Sequence, residues 1–209
     1  MSNLWQQLNG DMSTIVESVR RNLVQISNGR RGAGAGTIWH ANGLIVTNAH
    51  VVAGHETLKV TQPDGATLPA RLLATDPDHD VAALAVDANN LPTIVLGDSR
   101  QLQPGEWVLA LGHPWGVLGA VTAGIVIDTG TPLEIPPARG EFIQVGLHLR
   151  PGHSGGPLVD VRGRLVGINT MITGPNVGLA VPVHTVKNFL RQALGSPSPT
   201  PPVTEPVFL

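Results

Sequence analysis

The chain has 209 residues, 42% of them hydrophobic and only 13% charged, with 25 Gly, 18 Pro and no Cys. A charged fraction near half the ~25% of ordinary soluble proteins, with this much glycine and proline, implies a turn-rich β protein with a sizeable core. The net charge of −2 excludes a broadly basic nucleic-acid footprint, and the lack of cysteine excludes disulfides, thiolate nucleophiles and cysteine-ligated metals. No window approaches the ~18 consecutive apolar residues a membrane span needs. Residues 1–31 hold no run resembling a signal-peptide core. The expected compartment is therefore the cytoplasm, with an extracytoplasmic placement the alternative if a leader has been removed.

In chain order, residues 4–20 place Trp5, Leu8, Met12, Ile15, Val16 and Val19 at helical spacing. Asn9-Gly10 predicts a break there, with a firmer helix from about Asp11 as N-cap. Short β-branched runs begin at Leu23. They cover residues 23–26, 36–39, 44–47, 58–61, 70–74, 81–86 and 94–96, then 107–111, 121–128, 142–145, 158–160, 165–171 and 179–183. Asn42-Gly43, Asp64-Gly65 and Arg162-Gly163 fall between runs, where hairpin turns favour a residue that takes positive φ. About six strands on each side of residues 98–105 predict an all-β chain of two six-stranded antiparallel barrels, about 23–99 and about 100–182. A closing helix is expected over 183–194, with Val186, Phe189, Leu190 and Ala193 on one face and Gly195 as its cap. The domain reading is an N-terminal helical extension (1–22), one domain of two barrels and a helix (23–194), and a proline-rich tail (195–209).

The strongest chemical signal is Gly152-His153-Ser154-Gly155-Gly156-Pro157-Leu158. A serine between glycines in a tight turn exposes its Oγ, and its small neighbours admit a substrate backbone. The Gly152 and Ser154 amides would converge on one point, as an oxyanion hole requires. A serine needs a base. Of eight histidines, His50 in Thr47-Asn48-Ala49-His50-Val51-Val52 ends an apolar strand, where a rigid element can aim an imidazole. A carboxylate must orient that imidazole. Asp80, at the entrance of the run 81–86, is the candidate; Asp76 and Asp78 are rivals expected to be solvated. The alternation Asp76, Asp78, Asp80 also invites a calcium-loop reading. It fails because Val81 and Asp87 stand where the loop needs Gly and Glu. No metal and no cofactor is expected.

The chain order His50, Asp80, Ser154 is that of chymotrypsin-like enzymes. Residues 14–190 resemble the HtrA/Deg branch of the trypsin-like serine proteases. The motifs that carry the likeness are Asp76-Pro77 with Asp80-Val81-Ala82, Leu96-Gly97-Asp98-Ser99, Gly112-His113-Pro114-Trp115-Gly116, Val121-Thr122-Ala123-Gly124, Gly152 to Leu158 and Gly167-Ile168-Asn169-Thr170. The resemblance implies perpendicular barrels with the active site in their cleft, His50 and Asp80 from the first and Ser154 from the second. It implies acyl transfer: His50 takes the Ser154 proton, Asp80 orients His50, and the Gly152 and Ser154 amides hold the oxyanion. It further implies that the edge near residues 165–171 pairs with an extended substrate, with Gly167, Ile168, Asn169 and Thr170 in contact. The expected activity is serine endopeptidase cleavage of unfolded or flexible segments in protein quality control. A chaperone-like or scaffolding binder with weak or gated proteolysis is the alternative.

The sequence departs from that family before the serine. Val145 and Gly146 replace a Thr-Asp pair, and Arg150 and His153 replace two asparagines. Leu149 stands at the aliphatic pocket position, so a small or medium apolar P1 is expected, with His148 as a possible polariser of the pocket floor. His153 precludes activation by an ammonium–aspartate pair just before the nucleophile, leaving loop ordering as the control. A PDZ domain, usual in the family, is expected to be absent. Homo-oligomerisation, as a trimer or a multiple of one, is implied by family habit. The apolar end Glu205-Pro206-Val207-Phe208-Leu209 is read as able to bind a neighbouring subunit or partner. No nucleic acid and no membrane insertion is expected.

Overall fold

The computed structural model describes residues 2–27, 33–54, 57–132, 140–174 and 176–195. His55 and the tail at 196–209 lie outside the described residues. The first barrel comprises β1 (Leu23–Ser27), β2 (Ala33–His40), β3 (Leu44–Thr47), β4 (Leu58–Thr61), β5 (Thr67–Asp76) and β6 (Val81–Val86), closed in the order β1-β2-β3-β6-β5-β4. The second comprises β7 (Trp107–Gly112), β8 (Ala120–Gly130), β9 (Phe142–Gly146), β10 (Pro157–Asp160), β11 (Leu165–Gly174) and β12 (Val177–Pro182), closed as β10-β11-β12-β9-β8-β7. Among the described residues, three α-helices accompany them: α1 (Ser2–Arg20), the single turn α2 (Ala49–Val52) and α3 (Val183–Leu194).

The two-residue period of the strands explains the sparse charge. On β6, Ala82 and Leu84 point into the first barrel with Val24, Ile26, Ile38 and Ile45. Val81 and Ala83 point the other way, into a cluster shared with the second barrel. On β7, Val108 and Ala110 fill the second barrel with Ile143, Val145 and Leu158. Leu109 and Leu111 face the shared cluster, beside Phe142, Ile168 and Phe189 of α3. Strands buried on both faces carry no polar stripe, so the chain reads as continuous apolar runs rather than alternating ones.

Two expectations are corrected. The helix is not broken at Asn9-Gly10: α1 runs unbroken from Ser2 to Arg20. Glycine within a helix costs only about 1 kcal/mol, and the C-terminal half is anchored by buried Val19, with Met12, Ile15 and Val16 packed on the shared core. Residues 94–96 form no strand. They cross between the barrels, making one bridge from Leu96 to Leu165, while the Val95 carbonyl accepts the Leu165 amide at 2.7 Å.

Candidate active site

β3 delivers Thr47 and Asn48 to the cleft, and the chain then turns into α2, which carries His50. His50 thus sits on a helical turn just past the strand, not on the strand end. Asp80 closes the β5–β6 connection with φ of +55°, a left-handed conformation that Asp adopts more readily than most residues. Only 5% exposed, it is fully engaged. His50 Nδ1 lies 2.8 Å from Oδ2 and 3.0 Å from Oδ1, and the His50 amide donates to Oδ1 at 3.0 Å. The Thr170 hydroxyl donates to Oδ2, and Asn48 Nδ2 donates to the Asp80 carbonyl at 2.9 Å. Burial acts to raise the Asp80 carboxyl, but the hydrogen bonds from His50 and Thr170 outweigh it and hold the group below its ordinary value. Asp76 instead pairs with His79 at 2.7 Å, and Asp78 is exposed, so neither rival approaches His50.

The second barrel brings Ser154 to the same cleft. Its carbonyl accepts the Ala35 amide of β2 at 2.7 Å, which ties the serine turn to the first barrel. Gly155 (φ +85°) cannot carry a side chain here, because a Cβ would lie 2.0 Å from the Ala35 carbonyl oxygen. The Ser154 hydroxyl donates to the Thr170 carbonyl at 2.9 Å rather than to His50. Gly152 takes φ of +104°. Among the described residues, the Gly152 and Ser154 amides donate to no protein acceptor.

The predicted substrate residues divide. Leu149, buried, lines a cavity of about 260 Å³ beside Ser154 with Pro151, Thr170, Met171 and Ile172. His148 does not line it; exposed, it turns to Asn176 Oδ1 at 2.9 Å. Gly167, Ile168 and Asn169 are corrected as substrate contacts. Gly167 and Ile168 pair with β10 on one side and β12 on the other, and Asn169 exchanges backbone bonds with Gly155 and Gly156. With both edges satisfied, these residues cannot accept a further strand. The edge facing Ser154 opens only from Thr170 onward, at Met171 and Ile172. The Thr170–Asp80 bond spans 90 positions, and no local pattern announces it.

Two closed six-stranded barrels with this cleft define the class, and comparison with known proteins agrees. The trypsin-like peptidase domain family matches residues 34–168. The putative serine protease HhoB of Synechocystis sp. is 41% identical over 163 residues, covering 76% of this chain and 39% of that protein. A probable periplasmic serine endoprotease DegP-like of Halomonas elongata is 43% identical over 170 residues, covering 78% of this chain and 35% of that protein. The solved HtrA-type protease AlgW with a tripeptide superposes with a TM-score of 0.82 at 33% identity, covering 88% of this chain and 64% of that one.

The chain belongs to the trypsin-like peptidase domain family, and within it is similar to HtrA-type proteases in sequence and fold. It spans 39% and 35% of the lengths of the two curated relatives above. The cytoplasmic expectation is overturned, because matched relatives are named periplasmic. The chain spans only part of such proteins, so its first residues do not bear on the compartment.

Proposed function

We propose that this domain is a serine endopeptidase that cleaves unfolded or flexible polypeptide segments, with Ser154 as nucleophile, His50 as general base and Asp80 as its orienting carboxylate. The observation that carries this reading is the buried Asp80, gripping His50 through ring and backbone, with the Ser154 turn fastened to the same barrel through Ala35. Asp80 fixes the proton on His50 Nδ1 and leaves Nε2 basic. Rotation of the Ser154 hydroxyl from the Thr170 carbonyl to His50 Nε2 precedes attack; catalytic hydrogen bonds commonly tighten only with substrate bound. The serine oxygen adds to the scissile carbonyl as its proton passes to His50. The resulting oxyanion meets the Gly152 and Ser154 amides. His50 then protonates the leaving amine, and water deacylates the serine by the reverse route.

The free edge at Thr170, Met171 and Ile172 receives the substrate as an added strand. The cavity beside Ser154 has mostly apolar walls, with Arg150 and His153 also lining it and no carboxylate among the described lining residues. A small or medium apolar P1 residue, such as Val, Ala or Leu, suits it, and a basic one does not. The chaperone-like alternative rests on the altered loop before Ser154 and gains nothing from relatives that are named proteases. Self-association through α1, whose Leu4, Trp5 and Leu8 are exposed, and work in an extracytoplasmic compartment belong to the same proposal. The test is hydrolysis of casein and of peptides varied at P1. Ser154→Ala should abolish turnover, and Val or Leu at P1 should exceed Arg by at least tenfold; turnover unaffected by Ser154→Ala would sink the reading.

A further inference from the structure

The turn after β7 presses on the oxyanion loop from behind. The His113 amide donates to the Gly152 carbonyl at 2.8 Å, and a Cβ on Gly152 would lie 2.5 Å from the His113 carbonyl oxygen. A Cβ on Gly112 would likewise meet His153 Cα at 2.6 Å. Two residues on, Trp115 is held at φ of +52°, and Arg150 of the oxyanion loop stacks 4.5 Å from its ring. The position of Gly152, and with it one oxyanion amide, is therefore set by where His113 sits.

His113 is in turn held through its ring. Only 8% exposed, it accepts the Gly119 amide on Nδ1 at 3.2 Å. The Gly119 carbonyl accepts Arg20 Nε of α1 at 2.8 Å. An acceptor at Nδ1 places the single ring proton on Nε2. That nitrogen is buried and makes no well-formed hydrogen bond.

We infer that His113 is a positioning residue for the oxyanion loop and that it holds the loop only as the neutral imidazole. An imidazolium would add an N–H at Nδ1 turned against the Gly119 N–H, so that neither group has an acceptor. The charges around it also disfavour a cation. Arg20 and Arg21 of α1 line the cavity of about 340 Å³ beside His113, and Glu17, which also lines it, is tied to Arg20 at 2.6 Å. The residues contributed there by β1 and the β4–β5 turn are uncharged. The oxyanion loop brings His153, itself buried, with Arg150 and His148 behind it. Burial lowers the proton affinity of His113, the Val24 backbone offsets part of that, and His153 lowers it again by less. Acid thus releases Gly119, then His113, then Gly152.

This inference rests on the serine-peptidase reading, and its test separates the two. Steady-state kinetics are followed on a peptide whose cleavage is Ser154-dependent, with far-UV circular dichroism confirming the fold at each pH. One essential base gives an acid limb of log(kcat/KM) with limiting slope one. The wild type should exceed that slope. His113→Phe, which offers Gly119 no acceptor, should lower kcat at least tenfold at pH 8 with KM within twofold. His113→Asn, whose side-chain oxygen can accept the Gly119 amide but cannot titrate in this range, should recover most of that loss. Its acid limb should be shallower than wild type by one proton. A wild-type slope of one, or a His113→Asn limb as steep as wild type, overturns the inference, as does His113→Phe with undiminished kcat. If the variants do not fold, NMR of the wild-type imidazole decides: the Nε2–H tautomer at pH 7 is expected, and a protonated ring in the active enzyme contradicts it. Loss of Ser154 dependence would instead remove the peptidase reading, leaving the ring's tautomer and charge to be read by NMR.

Discussion

Asp80 combines two demands that few residues meet. It must take a left-handed backbone at φ +55° and present a buried carboxylate to both His50 and Thr170. Asparagine tolerates the same backbone, so Asp80→Asn isolates the charge. We predict a kcat loss of about 10⁴-fold, because the wrong His50 tautomer then faces Ser154, with only a modest fall in thermal midpoint from the lost carboxylate. A large fall in stability would show that the carboxylate serves the fold instead. Removing the Thr170 hydroxyl with Thr170→Val should cost about ten- to a hundredfold in kcat, as expected of one hydrogen bond to a buried charge. Equal activity would remove Thr170 from the site. At this scale much of the site was legible: a glycine-flanked serine, a histidine past an apolar strand and an aspartate before one are local patterns. Thr170 as an Asp80 partner was not, because only barrel docking brings it there.

At the scale of elements, the serine turn is built to be seated against β2. Gly155→Ala would drive a methyl into the Ala35 carbonyl and Thr47 Oγ1, at 2.0 and 2.2 Å. Gly105, also at positive φ, has open space around it. Urea unfolding should therefore separate the two: about 1–2 kcal/mol for Gly105→Ala from backbone strain alone, and clearly more for Gly155→Ala, with loss of Ser154 reactivity. Equal costs would mean that the barrel contact does not hold the turn. The strands were readable because β-branched runs between turn residues have few other solutions, and α3 matched its expected bounds of 183–194. Two elements were misread for the same reason. The continuity of α1 and the irregular crossing at 94–96 are decided by what they pack against, which local spacing does not encode. The free edge of β11 was misplaced likewise, since it depends on where β10 begins, with Pro157 opposite Ile168.

At the scale of the molecule, the sparse charge has a structural cause: a core shared by two barrels takes both faces of β6 and β7. It also carries a liability in acid. The folded chain holds His113 and His153 below their ordinary imidazole value, chiefly by burial. As pH falls below about 6.5, the unfolded chain binds those protons first, so stability falls with pH. Asp80 acts lower: its contribution is full above the ordinary carboxyl value and is lost as pH falls through its depressed folded one. Calorimetry from pH 7.5 to 5 should show a declining midpoint, and the decline should flatten in a His113→Asn, His153→Asn double variant. A midpoint constant over that range would contradict the assignment of both rings as buried and neutral.

All three scales converge on one atom, the Ser154 hydroxyl, placed by the second barrel within the grip of the first. The most direct test is labelling with a fluorophosphonate, followed by peptide mapping, for wild type, Ser154→Ala and Asp80→Asn. The structure predicts a single adduct on Ser154 in the wild type, none in Ser154→Ala and a rate reduced by orders of magnitude in Asp80→Asn. Labelling at another residue, or at an equal rate without the Asp80 charge, would contradict the assignment of this cleft as a serine-peptidase site.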